Sequence, residues 1–126
     1  MEQEELTGGI IGAAIRVHRE LGPGSLETVY EEALCIELAA IGLRLVRQFA
    51  VEIRYRGQRA GERRLDLLVE DTVVVELKTV LELQDIFYAT LRPYLRATGK
   101  SVGLLLNFAS VTVQAKRVGP DLPSRS

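Results

Sequence analysis

The sequence predicts an α/β domain with the element order ααβββαβ(β). Three observations carry that expectation: the chain length, a change of hydrophobic period from helical to alternating after Gly42, and an apolar run of strand length near the end. The 126 residues suit one domain that buries roughly two thirds of the surface its unfolded chain would expose. Residues 1–118 are expected to form that domain. The stretch 119–126 (GPDLPSRS) lacks periodicity and is expected to be a disordered tail. The single cysteine, Cys35, excludes an internal disulfide and a cysteine-rich zinc site. No apolar run of about 18 residues is present, so no membrane-spanning helix is expected. The acidic MEQEEL start lacks an apolar signal core, which argues for a soluble, cytoplasmic protein.

Residues 7–21 place Ile11, Ala14, Ile15, His18 and Leu21 at helical spacing, as one buried stripe. Gly22-Pro23-Gly24 stops that helix. Ser25 can cap a second helix with Glu27 in its first turn and with Leu26, Val29, Tyr30, Ala33 and Leu34 along its apolar side. Residues 44–55 alternate as a half-exposed strand does. Residues 63–69 and 72–79 form a hairpin about Glu70-Asp71. Residues 82–98, which include Pro93, return to helical spacing and close at Gly99. Residues 101–108 (SVGLLLNF) suit a strand covered on both faces, and 111–118 suggest a last strand.

Near-neutral overall charge hides an asymmetry. Residues 1–37 hold eight acids and two bases, whereas 38–126 hold fourteen bases and nine acids. Arg44, Arg47, Arg54, Arg56, Arg59, Arg63 and Arg64 crowd into one segment, where Arg44, Arg47, Arg54, Arg56, Arg63 and Arg64 are candidates for contacting the phosphates of a nucleic acid. The alternative is a solvated strand face whose arginines pair with the acidic first third.

The chemistry-bearing residues lie in the hairpin: Asp66 in RLDLLV, then Glu76 and Lys78 in VVVELKT. Glu76 and Lys78 project from one strand face, about 6.6 Å apart along the strand. A two-residue turn would send Asp66 and Glu76 to opposite faces. A shared face requires an odd connection, such as three residues with Asp71 or a neighbour at positive φ. Two converging carboxylates repel each other unless a cation sits between them, and hard oxygen ligands suit Mg²⁺ or Mn²⁺. A neighbouring lysine can orient an attacking water and stabilise charge developing on a phosphate. The constellation therefore points to metal-assisted phosphodiester hydrolysis. The competing reading is a surface ion pair of Glu76 and Lys78 beside a turn-forming Asp66.

LGPGSLETVYEEAL (21–34) resembles the signature of the GxxExxY proteins, with Gly24, Glu27 and Tyr30 at the named positions. RLDLLVEDTVVVELKTV (64–80) resembles their D…ExK hairpin, and YLRATGKSVGLLLNF (94–108) their helix-to-strand segment. These proteins belong with the PD-(D/E)XK phosphodiesterases. The resemblance implies a restriction-endonuclease-like αβββαβ core, here with an extra N-terminal helix and a mixed sheet. It also implies Asp66 and Glu76 as metal ligands, Lys78 acting on water, Glu27 as an additional catalytic carboxylate and Tyr30 as a supporting residue. One departure is visible: many relatives carry Gln four residues before the tyrosine of YLR, where this chain has Thr90, and Gln84 is out of register.

The remaining candidates are expected to be structural. His18 lies on the apolar stripe of the first helix as a satisfied side chain, and Cys35 acts as a small hydrophobe. Tyr88 and Tyr94 sit at core spacing, though aromatic rings at such positions can also stack on bases. Asn107 caps a turn. The first functional expectation is a Mg²⁺-dependent nuclease acting on nucleic acid, DNA in preference to RNA, with little base specificity. The alternatives are a catalytically silent nucleic-acid- or protein-binding module of the same fold, and an assembly subunit, possible as a homo-oligomer, docking through the acidic helices.

Overall fold

A computed structural model describes residues 2–121. Its elements are α1 (Gln3–Leu21), α2 (Glu27–Ala40), β1 (Leu45–Tyr55), β2 (Gln58–Val69), β3 (Val73–Lys78), α3 (Asp85–Thr98), β4 (Val102–Asn107) and β5 (Gln114–Val118). The five strands form one sheet in sequential order. β3 and β4 run parallel and the other neighbours antiparallel, so the sheet is mixed and α3 is the crossover that a parallel pair requires. α1 and α2 cover one face through Leu6, Ile10, Val17, Tyr30, Leu34 and Leu38. α3 covers the other through Leu91 and Leu95 against Leu65, Leu68, Val74 and Leu105. This matches the α/β order and mixed sheet expected from the sequence. The expected tail lies outside the described residues from 122 onwards.

Local details depart from the sequence reading. α1 begins at Gln3, which brings Leu6 inside and turns the buried arc towards Leu6, Ile10, Ala13 and Val17; Ile15 and Leu21 are exposed instead of buried. Such a shift is open to a helix whose apolar residues span a wide arc. In α2 the buried line is Tyr30, Leu34, Cys35 and Leu38, while Leu26 (74% exposed) and Val29 face solvent. Ser25 does not cap this helix. Leu26 holds the cap position, and the Ser25 N–H donates to Tyr30 Oη. β2 starts at Gln58 because Arg56 and Gly57, at φ +52° and +79°, close a two-residue hairpin from β1.

Two features of the strands position the site. Glu70, Asp71 and Thr72 join β2 to β3, with Glu70 and Asp71 at φ +51° and +52° and the Thr72 N–H bonded to Val69 O. This is the odd connection that parity demanded. In addition, Arg47 pairs with Leu67 and Phe49 with Leu65, but Gln48, at φ +52°, and Asp66 are skipped. Leu67 packs under α1 and α2, whereas Leu65 packs under α3. Residues two apart normally share a face, so the β1–β2 ribbon turns over at Gln48 and Asp66.

Candidate active site

The backbone pairing of β2 with β3 ends at Leu67 and Val75, and side chains take over beyond it. The Asp66 N–H donates to Glu76 Oε1 at 2.8 Å, and the Leu77 N–H donates to Asp66 Oδ2 at 2.8 Å. Each acid thus captures a strand amide released where the ribbon turns over. Glu76 is 5% exposed on the α3 face, and Asp66 is half-buried. The Nζ of Lys78 lies 4.9 Å from the centroid of the Phe87 ring, which holds the ammonium at the end of β3. Arg63 stacks on Tyr94 at 4.9 Å and reaches Glu76 Oε2 at a loose 3.5 Å. Arg63, Glu76, Lys78, Phe87 and Thr90 line one cavity of about 200 Å³. A larger hollow of about 460 Å³, lined by Ile15, His18, Arg19, Pro23 and Val111 among others, holds no carboxylate and lies away from this chemistry.

Electrostatics set these acids apart. Burial, then the Asp66 charge, hold the Glu76 carboxyl up at about 7, against opposing pulls from the Asp66 amide, Arg63 and Lys78. Burial also raises Asp66, opposed first by its bond from the Leu77 amide. Glu27, in the first turn of α2, is raised by partial desolvation and then by Asp66, while Lys78 lowers it. Its side chain is exposed, so water screens much of this. Glu27 therefore feels the site from the α2 side, yet among the described residues no three His, Cys, Asp or Glu side chains form a ready metal cluster.

Tyr30 anchors that approach. Fully buried, it stacks on Phe108 with centroids 4.6 Å apart, donates to Gly22 O at 2.5 Å and accepts from the Ser25 N–H at 3.1 Å. The loop leading into Glu27 is fixed by these bonds. His18 Nε2 sits 3.1 Å from Phe108 O and 2.9 Å from Ser110 O, and Cys35 is buried among the helices.

Most arginines expected to meet phosphates already have carboxylate partners. Arg44 pairs with Glu70, Arg47 with Glu31 and Glu32, Arg54 with Glu52, Arg63 with Glu76 and Arg64 with Glu62; Arg56 pairs with no described residue. The pairing of Arg47 with α2 is the alternative the charge pattern left open. Thr90 lines the cavity, but its hydroxyl donates to Ile86 O within its own helix. Gln84 caps α3.

Sequence reasoning undervalued two residues. Arg63 is a direct partner of Glu76 and not simply a surface cation. Asn107 is fully buried: its Oδ1 accepts from the N–H groups of Val80 and Ala109, and its Nδ2 donates to Val80 O and Gln114 Oε1. It fastens the chain leaving Lys78 to the end of β4. One polar residue in an otherwise apolar strand run was the available signal.

One buried and one half-buried carboxylate, with Asp66 Oδ1 accepting no hydrogen bond from any described residue, fit a hard divalent cation, which takes one or two carboxylates and completes its sphere with water and phosphate oxygens.

The family model of the PD-(D/E)XK nuclease superfamily matches residues 4–118, and the chain belongs to that superfamily. Nucleases of that superfamily act on nucleic acid and typically use divalent metals. The crystal structure of SSO0001 is similar at a TM-score of 0.49 and 14% identity, covering 90% of this chain and 65% of that chain. No curated protein matches. No helix among the described residues is long and apolar enough to cross a membrane.

Proposed function

We propose that the protein is a GxxExxY-type, metal-dependent nuclease that hydrolyses phosphodiester bonds of DNA. The observation that carries this reading is the reciprocal capture of strand amides by Asp66 and Glu76, with Lys78 lining the same cavity as Glu76. Buried acids are costly without a counter-charge, and among the described residues the one ion pair to Glu76 is a loose contact with Arg63. Asp66 and Glu76 would hold Mg²⁺ or Mn²⁺, with the Leu77 carbonyl as a further donor. When bound, such a cation supplies positive charge to the scissile phosphate's oxygens. Lys78, steadied over Phe87, orients the attacking water and meets the charge that builds on phosphorus. Glu27 lends a carboxylate from the α2 side to order water, and Tyr30 holds its loop in place.

The second reading is a silent binding module of the same fold. It is favoured by Thr90, whose hydroxyl is committed to Ile86 O and orders neither Glu76 nor Lys78. Labelled single- and double-stranded DNA, and RNA, incubated with Mg²⁺, Mn²⁺ or EDTA separate the two. The nuclease reading expects metal-dependent DNA cleavage that Lys78→Ala and Asp66→Ala each reduce by at least about a hundredfold. Binding without cleavage under every condition supports the module, and cleavage unchanged in both variants overturns the assignment.

A further inference from the structure

We propose that the substrate backbone runs along α3 and β5, over Arg92, Arg96 and Lys116, and not along the β1–β2 hairpin where the sequence concentrates its arginines. This rests on the nuclease reading, because it names the route of that substrate's phosphates. Six of the seven arginines between residues 44 and 64 already have a carboxylate partner, with Arg54, Arg59 and Arg64 sharing Glu52 and Glu62. A phosphate arriving there competes with those carboxylates. Arg92, Arg96 and Lys116 form no ion pair with any described residue, so their charge is available.

The geometry gathers these three. Arg92 and Arg96 are one turn apart on α3, about 6 Å along the axis. Arg96 donates to Pro120 O at 2.6 Å, which sets this side of the helix against the chain leaving β5. Lys116 of β5 pairs with Leu105 of β4, whose side chain packs under α3, so Lys116 stands on the same face of the sheet. Tyr88 lies one turn before Arg92, whose guanidinium is 5.8 Å from its ring centroid, and offers a stacking surface for a base. Tyr88, Arg92 and Arg96 lie on the flank of α3 away from Ile86 and Thr90, which line the active-site cavity, and the link to the chemistry runs through Lys116, level with Glu76 two strands away across Leu105. Among the described residues β5 is a sheet edge with no strand beyond it.

The salt dependence of binding tests this. Fluorescence anisotropy with a labelled oligonucleotide, single- or double-stranded, is measured in Ca²⁺ over a range of salt. Each lost phosphate contact lowers the slope of log K against log salt by about 0.7 to 0.9. The triple variant Arg92→Gln/Arg96→Gln/Lys116→Gln is expected to lower it by about 2 to 3. Arg44→Gln/Arg54→Gln/Arg59→Gln, at paired arginines of the hairpin, is expected to change it by less than about 0.5. Should the triple variant unfold, Arg96→Gln/Lys116→Gln is expected to lower the slope by about 1.5. A slope lost from the hairpin variant and kept by the α3–β5 variants overturns the route while leaving the nuclease reading intact. Wild-type protein that neither binds nor cleaves any nucleic acid overturns both.

Discussion

Glu76→Gln should make the metal-free protein more stable at alkaline pH. Glu76 titrates at about 7 in the fold against 4.5 for an ordinary glutamate, and each unit corresponds to about 1.4 kcal/mol. The native state binds this proton more tightly than the unfolded chain does, so stability falls as pH rises between those two values. Above pH 7 the full cost, about 3 kcal/mol, is present; below 4.5 it vanishes. Gln keeps the acceptor for the Asp66 N–H but carries no charge, and it gives up the loose contact with Arg63. The expected net gain at pH 8 is about 2 kcal/mol, or roughly 8 °C in Tm for a domain of this size. Near pH 4.5 the gain should be close to zero. Thermal unfolding of both proteins in EDTA at the two pH values measures this. In Mg²⁺ the wild type should recover stability that the variant does not. Equal gains at both pH values, or a variant less stable at pH 8, would refute the buried-charge argument.

Two further substitutions follow from the packing. Asn107→Ala strands the Val80 N–H and carbonyl, and should cost about 3 kcal/mol, read as a lower urea midpoint at unchanged m. It should also slow cleavage by about tenfold or more, because Lys78 loses its fixed exit. Tyr30→Phe keeps the ring stack on Phe108 but removes the bonds to Gly22 and Ser25, at a cost of about 1 to 2 kcal/mol by urea unfolding.

The element order was legible because period and punctuation agree along most of the chain. Gly22 and Gly99 end their helices at φ +67° and +70°, and the LLL run of β4 lies covered on both faces. Parity alone anticipated the three-residue loop from the chemistry it had to serve. The buried arcs of α1 and α2 were less legible, since several apolar arcs compete at helical spacing and tertiary contacts select one. The turnover at Gln48 was not legible at all: a glutamine at φ +52° carries no sequence marker, and the opposite packing of Leu65 and Leu67 is visible only in three dimensions. The partners of the arginine segment were not legible, because charge counted along a chain says nothing about acids supplied by α2 and by the strands themselves.

The two hairpin connections look alike on paper yet tolerate change very differently. Lengthening the Arg56-Gly57 tip adds chain at a free end, with no charged cluster beyond it to disturb. Removing one residue from Glu70–Thr72 would rotate Glu76 and Lys78 away from Asp66 with every individual side chain still present. Homologues that vary in length at the first turn and never at the second would be the evolutionary trace of that constraint.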